Sequence, residues 1–383
     1  MLTLSARIVD GDTGEALPFA SIGIIGRPIG TIANLDGEFD FHFPAEYRNE
    51  TLMVSMLGYY NLETPIASVL IGADTLLRLK KSTTILQTLV VSDTLRGGDI
   101  VRIALSRVEE NCPQKPFLLD AFYRDLKKVG GTYVSLLEAA VKIYDEDYKT
   151  PRNKFKLRER VRLLEVRRSL GYTSKFTTYF DEDNLLEEVL LHNNIRYRQF
   201  PDEEVFFNSL RREKDSYYAN HEVFVVTLHE DFDLSLFVDK KNFGILHLEY
   251  SNNNPQMINK KRGLHSKFVG LRKVIDYKEY GGKLYLNYMN VYSKINWYDN
   301  TTGKLKFDTE LEQHLLVNKI FPDPEERIGI TEKMRRYGLQ YQDQPYNKKF
   351  WEDYNTIKES PLDKKIVADL ELEGPLEKQF EHN

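Results

Sequence analysis

The stretch Leu4-Ser5-Ala6-Arg7-Ile8-Val9-Asp10-Gly11-Asp12-Thr13-Gly14-Glu15, continued by Leu17-Pro18, Ala20-Ser21-Ile22-Gly23-Ile24, Gly30-Thr31 and Asp36-Gly37-Glu38-Phe39-Asp40-Phe41-His42-Phe43, decides the fold. Apolar residues alternate with polar ones over short runs, and Asp/Gly or Pro turns separate the runs. On a strand, alternation puts one set of side chains on a buried face and the other in water. Further strand-like runs follow at Leu52–Met56 and Thr75–Leu79, with Gly58-Tyr59 between them and Leu89-Val90-Val91 at the close. Many short strands with a turn about every 8–12 residues predict a β-sandwich.

Outward from that stretch the composition changes. The first 96 residues hold 18 charged and 7 aromatic residues, against 93 and 39 in the remaining 287. The 383-residue chain is too long for one ordinary core. The expected organisation is a sandwich over 1–92, a linker over 93–98 containing Gly97-Gly98, an antiparallel β domain with helices over 99–321, and an extended segment over 322–383 with a frayed end. In the second part Asp99 is a helix cap, with Ile100, Val101, Ala104, Leu105 and Val108 forming one stripe. Strands over Phe117–Lys128 and Thr132–Tyr144 flank Gly130-Gly131, and strands over 276–280 and 283–297 flank Gly281-Gly282. Both pairs read as hairpins. A third hairpin is expected at Asn300–Gly303, a helix over Asp183–His192, a Tyr-rich extended run over Tyr337–Tyr354, and a short helix after Pro361. The fold class is mainly β, with a half-barrel as one form the second domain can take.

Charge and motifs exclude several functions. A net charge of −5 gives no reason to expect nucleic acid. The one cysteine, Cys112, cannot form an internal disulfide and reads as a buried thiol. The eight histidines show no HExxH or similar spacing, and there is no GxSxG elbow or phosphate loop. Glu187-Glu188 and Glu203-Glu204 read as solvated charge. No catalytic residue, metal or cofactor is therefore expected. No apolar run reaches the about 20 residues that span a bilayer.

One pattern points to a partner. Arg152, Lys154, Lys156, Arg158, Arg160 and Arg162 occupy every even position, with Phe155, Leu157, Val161 and Leu163 among the odd ones. As a strand this segment presents six cations on one face. That face is either a dock for anionic headgroups or an acidic partner, or a solvated surface neutralised by neighbouring carboxylates.

The N-terminal run resembles the carboxypeptidase regulatory-like domain, a prealbumin-like sandwich found ahead of outer-membrane transporters of Bacteroidetes-type bacteria. The resemblance rests on Ile8-Val9-Asp10, Thr13-Gly14-Glu15, Leu17-Pro18, Ala20-Ser21-Ile22, Gly30-Thr31, Asn34-Leu35-Asp36-Gly37-Glu38-Phe39, Val54-Ser55, Leu57-Gly58-Tyr59 and Leu89-Val90-Val91. It covers about residues 3–92. No plug or long barrel follows, so transport is not implied. The remainder is similar to Bacteroidetes proteins carrying this module. Its Val238-Asp239 … Phe243 … Ile245 element is similar to lipoprotein-carrier half-barrels. These resemblances imply a periplasmic location, at or near the outer membrane, provided a leader precedes Met1. They imply a non-enzymatic protein that binds an envelope partner or an apolar ligand. A hydrolase with an unrecognised site and a purely structural scaffold are the alternatives.

Overall fold

The computed structural model describes residues 1–71, 75–82, 95–169, 179–180, 185–254, 256–261, 263–334, 338–342, 344–358 and 361–381. Leu89-Val90-Val91 and the start of the expected linker lie outside them.

The N-terminal part is a sandwich of two small sheets. Its strands are β1 (Leu2–Asp10), β2 (Ser21–Ile24), β3 (Gly30–Ile32), β4 (Glu38–Phe43), β5 (Thr51–Ser55), β6 (Leu62–Pro65) and β7 (Leu76–Leu79), with helix α1 (Ile66–Ile71) before β7. One sheet runs β4-β1-β7 and the other β3-β2-β5-β6. The alternation in β4 does what the sequence predicts. Phe39, Phe41 and Phe43 are fully buried against Leu4, Ile8, Ile22, Leu52 and Val54, while Glu38, Asp40 and His42 lie on the other face.

The second part is one antiparallel sheet. Its strands are β8 (Phe117–Val129), β9 (Thr132–Asp145), β10 (Arg160–Arg168), β11 (Arg211–Arg212), β12 (Ser216–Tyr218), β13 (His221–His229), β14 (Asp233–Asp239), β15 (Ile245–Asn252), β16 (Gln256–Lys261), β17 (Leu264–Tyr280), β18 (Lys283–Asp299) and β19 (Leu305–Pro322). Their order is β10-β9-β8-β19-β18-β17-β15-β14-β13-β11, with β12 on β13 and β16 on β17. The sheet stays open among the described residues, so no barrel closes. The hairpins at Gly130-Gly131, Gly281-Gly282 and Asn300–Gly303 join these strands where expected.

Both faces of this sheet are covered. On one lie α2 (Gly97–Ser106), α3 (Val108–Asn111), α4 (Leu185–Leu191), α5 (Asn194–Tyr197) and α6 (Glu204–Ser209). Ile100, Val101 and Ala104 of α2, Val189 of α4 and Phe207 of α6 pack with Leu119, Ala121 and Tyr123. The intervening residues of β8 face the other way. There Phe122, with Ala140, Tyr288 and Leu316, meets Ile32 and Phe19 of the sandwich and Trp351 and Ile357 of the C-terminal segment. Glu138 is buried on that face between Arg124 and Arg167, at 2.6 and 2.5 Å.

The sandwich docks by backbone as well as by side chains. Ile320 N donates to Pro28 O at 2.8 Å. Phe19 holds a φ of 58° and stacks on Tyr288 at 5.9 Å. Left-handed backbone costs a non-glycine residue about 1–2 kcal/mol, so the docked ring is bought with local strain. Asn355 caps the free edge of β4, accepting from His42 N at 2.7 Å and donating to His42 O at 2.9 Å.

Several expectations are corrected. Gly97 and Gly98 belong to the first turn of α2, not to a linker. Asp99 is not the cap itself: Arg96 stands there, and the Asp99 carboxylate accepts from Arg96 N at 3.2 Å. The Tyr-rich run carries a helical turn, Leu339–Tyr341, and α7 (Lys348–Asp353). Helix α8 (Pro361–Leu370) falls where expected, and of the stretch expected to be frayed the residues described, up to Glu381, are ordered. Helix α9 (Leu376–Glu381) buries Phe380 and Gln379, because Phe380 packs on Tyr346 and Arg167.

The start of α2 lies against α6. A Cβ added to Gly98 would sit 2.3 Å from Phe207 O. Gly98→Ala is therefore expected to lower stability by about 1–3 kcal/mol through overpacking, read as a lower urea midpoint.

Candidate functional site

The basic segment is built differently from its sequence pattern. β9 ends at Asp145 and β10 begins at Arg160, so the strand expected over 152–162 exists only at its last positions. Residues 152–159 form a loop because the two strand ends turn inward onto one cation. Arg196, fully buried on α5, donates from Nε to Asp145 Oδ2 at 2.7 Å and from Nη2 to Asp145 Oδ1 at 3.1 Å, and it lies 3.9 Å from Glu159. Tyr197 Oη donates to Glu159 and accepts from Arg158 N at 3.1 Å. Burial raises the Asp145 carboxyl above its ordinary range while Arg196 opposes that rise.

Further backbone groups of the loop are also tied down. Arg198 Nη2 donates to Tyr148 O at 2.8 Å, Arg196 Nη1 to Lys149 O at 3.2 Å, and Gln199 Nε2 to Lys154 O at 2.8 Å. Thr150 donates from N and Oγ1 to Glu109 at 2.9 and 2.8 Å.

These contacts divide the six cations. Arg158 pairs with Asp147 at 3.1 Å, Arg160 with Glu146 at 2.8 Å, and Arg162 with Glu326. Arg152, Lys154 and Lys156 are exposed, and no carboxylate among the described residues forms an ion pair with them. Phe155, between the two lysines, is 81% exposed. The alternation thus marks three stem arginines that stitch the loop base and three cations at its tip.

A second polar cluster lies between the domains and was missed in the sequence. His247 stands between Asp276 (3.2 Å from Nδ1) and Glu249 (3.2 Å from Nε2). Asp276 also accepts from Tyr218 Oη and from Asn287 Nδ2 at 2.9 Å, and Asn287 reaches Ser21 of the sandwich at 3.3 Å. Burial alone would lower the His247 pKa, but hydrogen bonds to Asp276 and Glu249 outweigh it and carry it up to about 9. Lys278 Nζ donates to Ile29 O at 3.1 Å, and burial brings its pKa down to about 8. Its ammonium fits because Gly23 and Gly30 pair across β2 and β3: a Cβ on either would lie 2.6 or 3.3 Å from Nζ. The cavity here is only about 60 Å³. A polar residue inside the apolar runs Ile245–Leu248 and Val274–Tyr277 was the one signal for this cluster.

Cys112 is buried, and burial pushes its thiol up to about 12. Among the described residues no group of three or more His, Cys, Asp or Glu is placed to hold a metal ion, and no helix is long and apolar enough to cross a membrane.

Comparison with known proteins identifies the N-terminal module. Residues 4–91 match the family model of the CarboxypepD_reg-like domain. They are a CarboxypepD_reg-like domain. It supplies Ser21 and Gly23 of β2 and the carbonyl of Ile29 to the interdomain cluster, so this domain forms one wall of it. No curated protein matches the chain. Among solved structures, one titled for lipid–protein interactions in lipovitellin covers 60% of this chain at 9% identity with a TM-score of 0.26, and 28% of its own length is matched. A MucB structure covers 59% of this chain and 98% of its own at 12% identity and a TM-score of 0.21. The Pseudomonas aeruginosa MucA/MucB complex covers 60% and 99% at 10% identity and a TM-score of 0.19. Superpositions this loose assign no shared property.

Two outcomes are expected. Arg196→Met leaves Asp145 and Glu159 buried without their cation and lowers stability by about 3–5 kcal/mol, measured by urea unfolding. The folded pKa of His247 lies above its ordinary 6.5. Its contribution is therefore complete below pH 6.5 and is lost as pH rises through about 9. The stability gap between the parent and His247→Gln should shrink across that window. Comparison against the variant cancels Lys278, which titrates in the opposite sense.

Proposed function

We propose that this chain is a non-catalytic protein of the cell envelope, at the periplasmic side of the outer membrane, whose second domain binds an anionic partner. The CarboxypepD_reg-like domain serves as a rigid accessory braced against the sheet. The observation that carries the proposal is the β9–β10 loop: its stem arginines are neutralised, while Arg152, Lys154 and Lys156 are exposed on a clamped base and form no ion pair among the described residues. Free like charges held together repel, and an opposite charge from outside relieves that cost.

The interior supports surface binding over an internal ligand or a reaction. The buried carboxylates Asp145 and Glu159 line a space of about 10 Å³ and are already engaged by Arg196 and Tyr197. A glycosidase needs room for a sugar between two carboxylates. Ligand clefts run to about 300–1,000 Å³, well beyond the cavity of about 60 Å³ between the domains. A wider depression beside Phe350 and Tyr354 is open to solvent.

The test is binding of the full chain to three anionic probes: polyglutamate, an acidic polysaccharide and phosphatidylglycerol vesicles. At least one is expected to bind, more weakly as salt rises. The triple variant Arg152→Gln, Lys154→Gln, Lys156→Gln should lose that binding and keep its unfolding midpoint. Absence of binding to all three favours the scaffold reading, and cell fractionation into the cytoplasm overturns the location.

A further inference from the structure

We infer that the tip of the β9–β10 loop, Arg152 to Lys156, docks the protein on a bilayer surface rich in anionic lipid, with Phe155 entering the headgroup region. This rests on the anionic-partner reading above and narrows the partner to a lipid layer.

The shape of the tip favours a lipid surface over an acidic chain. An acidic peptide motif is taken by clusters of arginine, which bond its carboxylates in a fixed bidentate geometry. Here two of the three cations are lysines on an exposed turn, and the largest side chain at its end is an aromatic ring 81% exposed. Phe155 N donates to Asn153 Oδ1 at 2.8 Å, and Gln199 holds Lys154 O at 2.8 Å. Both bonds fix the Lys154–Phe155 peptide, from which the exposed ring projects. Lys154 and Lys156 flank it directly, and long basic stems keep their charge at the headgroups while an apolar neighbour goes deeper.

The stem explains why the tip does not fold back. Three acids at the base are already occupied: Asp147 by Arg158, Glu146 by Arg160 and Arg327, Glu326 by Arg162 and Lys142. With a net charge of −5, the chain as a whole is repelled by an anionic surface. The cluster at the tip therefore favours binding through this end of the molecule.

The experiment is co-sedimentation of the full chain with vesicles of equal parts phosphatidylcholine and phosphatidylglycerol, and with phosphatidylcholine alone. Binding is expected to the mixed vesicles only, and it should weaken as salt rises. Each of Arg152, Lys154 and Lys156 replaced by Gln should cost about fivefold, and all three about a hundredfold. Phe155→Ser should cost about tenfold or more. Phe155→Trp should retain binding, with its emission shifting to the blue on the vesicles. All four side chains are exposed, so unfolding midpoints should match the parent. Equal binding to uncharged vesicles, undiminished binding by the triple variant, or an unshifted Trp emission overturns the inference. If polyglutamate binds and the mixed vesicles do not, lipid docking falls while the anionic-partner function stands. If no anionic probe binds, both fall.

Discussion

The large sheet is buried on both faces, and most of the remaining structure follows from that constraint. A half-exposed antiparallel sheet needs one layer of cover, but β8, β9 and β19 send apolar side chains both ways. Leu119, Ala121 and Tyr123 look toward the helices, and Phe122 with Leu316 toward the sandwich and Trp351. Two coverings are therefore required. The helices between β7 and β13 supply one, and the CarboxypepD_reg-like domain and the C-terminal segment share the other. This is why the sandwich is fixed to the sheet by the strained Phe19 and the Pro28–Ile320 hydrogen bond, and why the chain's last helix buries Phe380.

Burial on two faces also sets the electrostatics. Charges forced into the interior must be paired, because a lone buried ion loses far more hydration than packing returns. Glu138 takes Arg124 and Arg167, Asp145 takes Arg196, and Asp276 takes His247. Arg196 has a geometric effect as well: drawing in Asp145 and Glu159, it closes the base of the β9–β10 loop and forces the intervening residues out of the sheet. Thus a buried ion pair determines the exposure of the tip.

Much of the fold was legible because it depends on local periodicity. Phe39, Phe41 and Phe43 alternate, and Gly130-Gly131 and Gly281-Gly282 interrupt long alternating runs at tight turns. The Arg152–Arg162 pattern misled for a physical reason. Alternation specifies a strand only where a neighbour completes the ladder, and beyond Asp145 the β9 partner has turned away to Arg196. Gly97-Gly98 misled in the same manner. Paired glycines read as a flexible joint, but here they give α2 room against the Phe207 carbonyl.

The sequence by itself determined the N-terminal sandwich, the β character of the rest, the hairpins, and the presence of a concentrated run of cations. Those properties reside in neighbours along the chain, where the spacing of apolar, turn and charged residues acts directly. Tertiary structure alone decided which cations remain free, that His247 joins Asp276 against the sandwich, and that Lys278 enters between Gly23 and Gly30. Each of these depends on groups far apart in sequence coming within hydrogen-bonding or packing distance. Such meetings are fixed by how two faces of one sheet are covered, which the order of residues along any single strand does not encode.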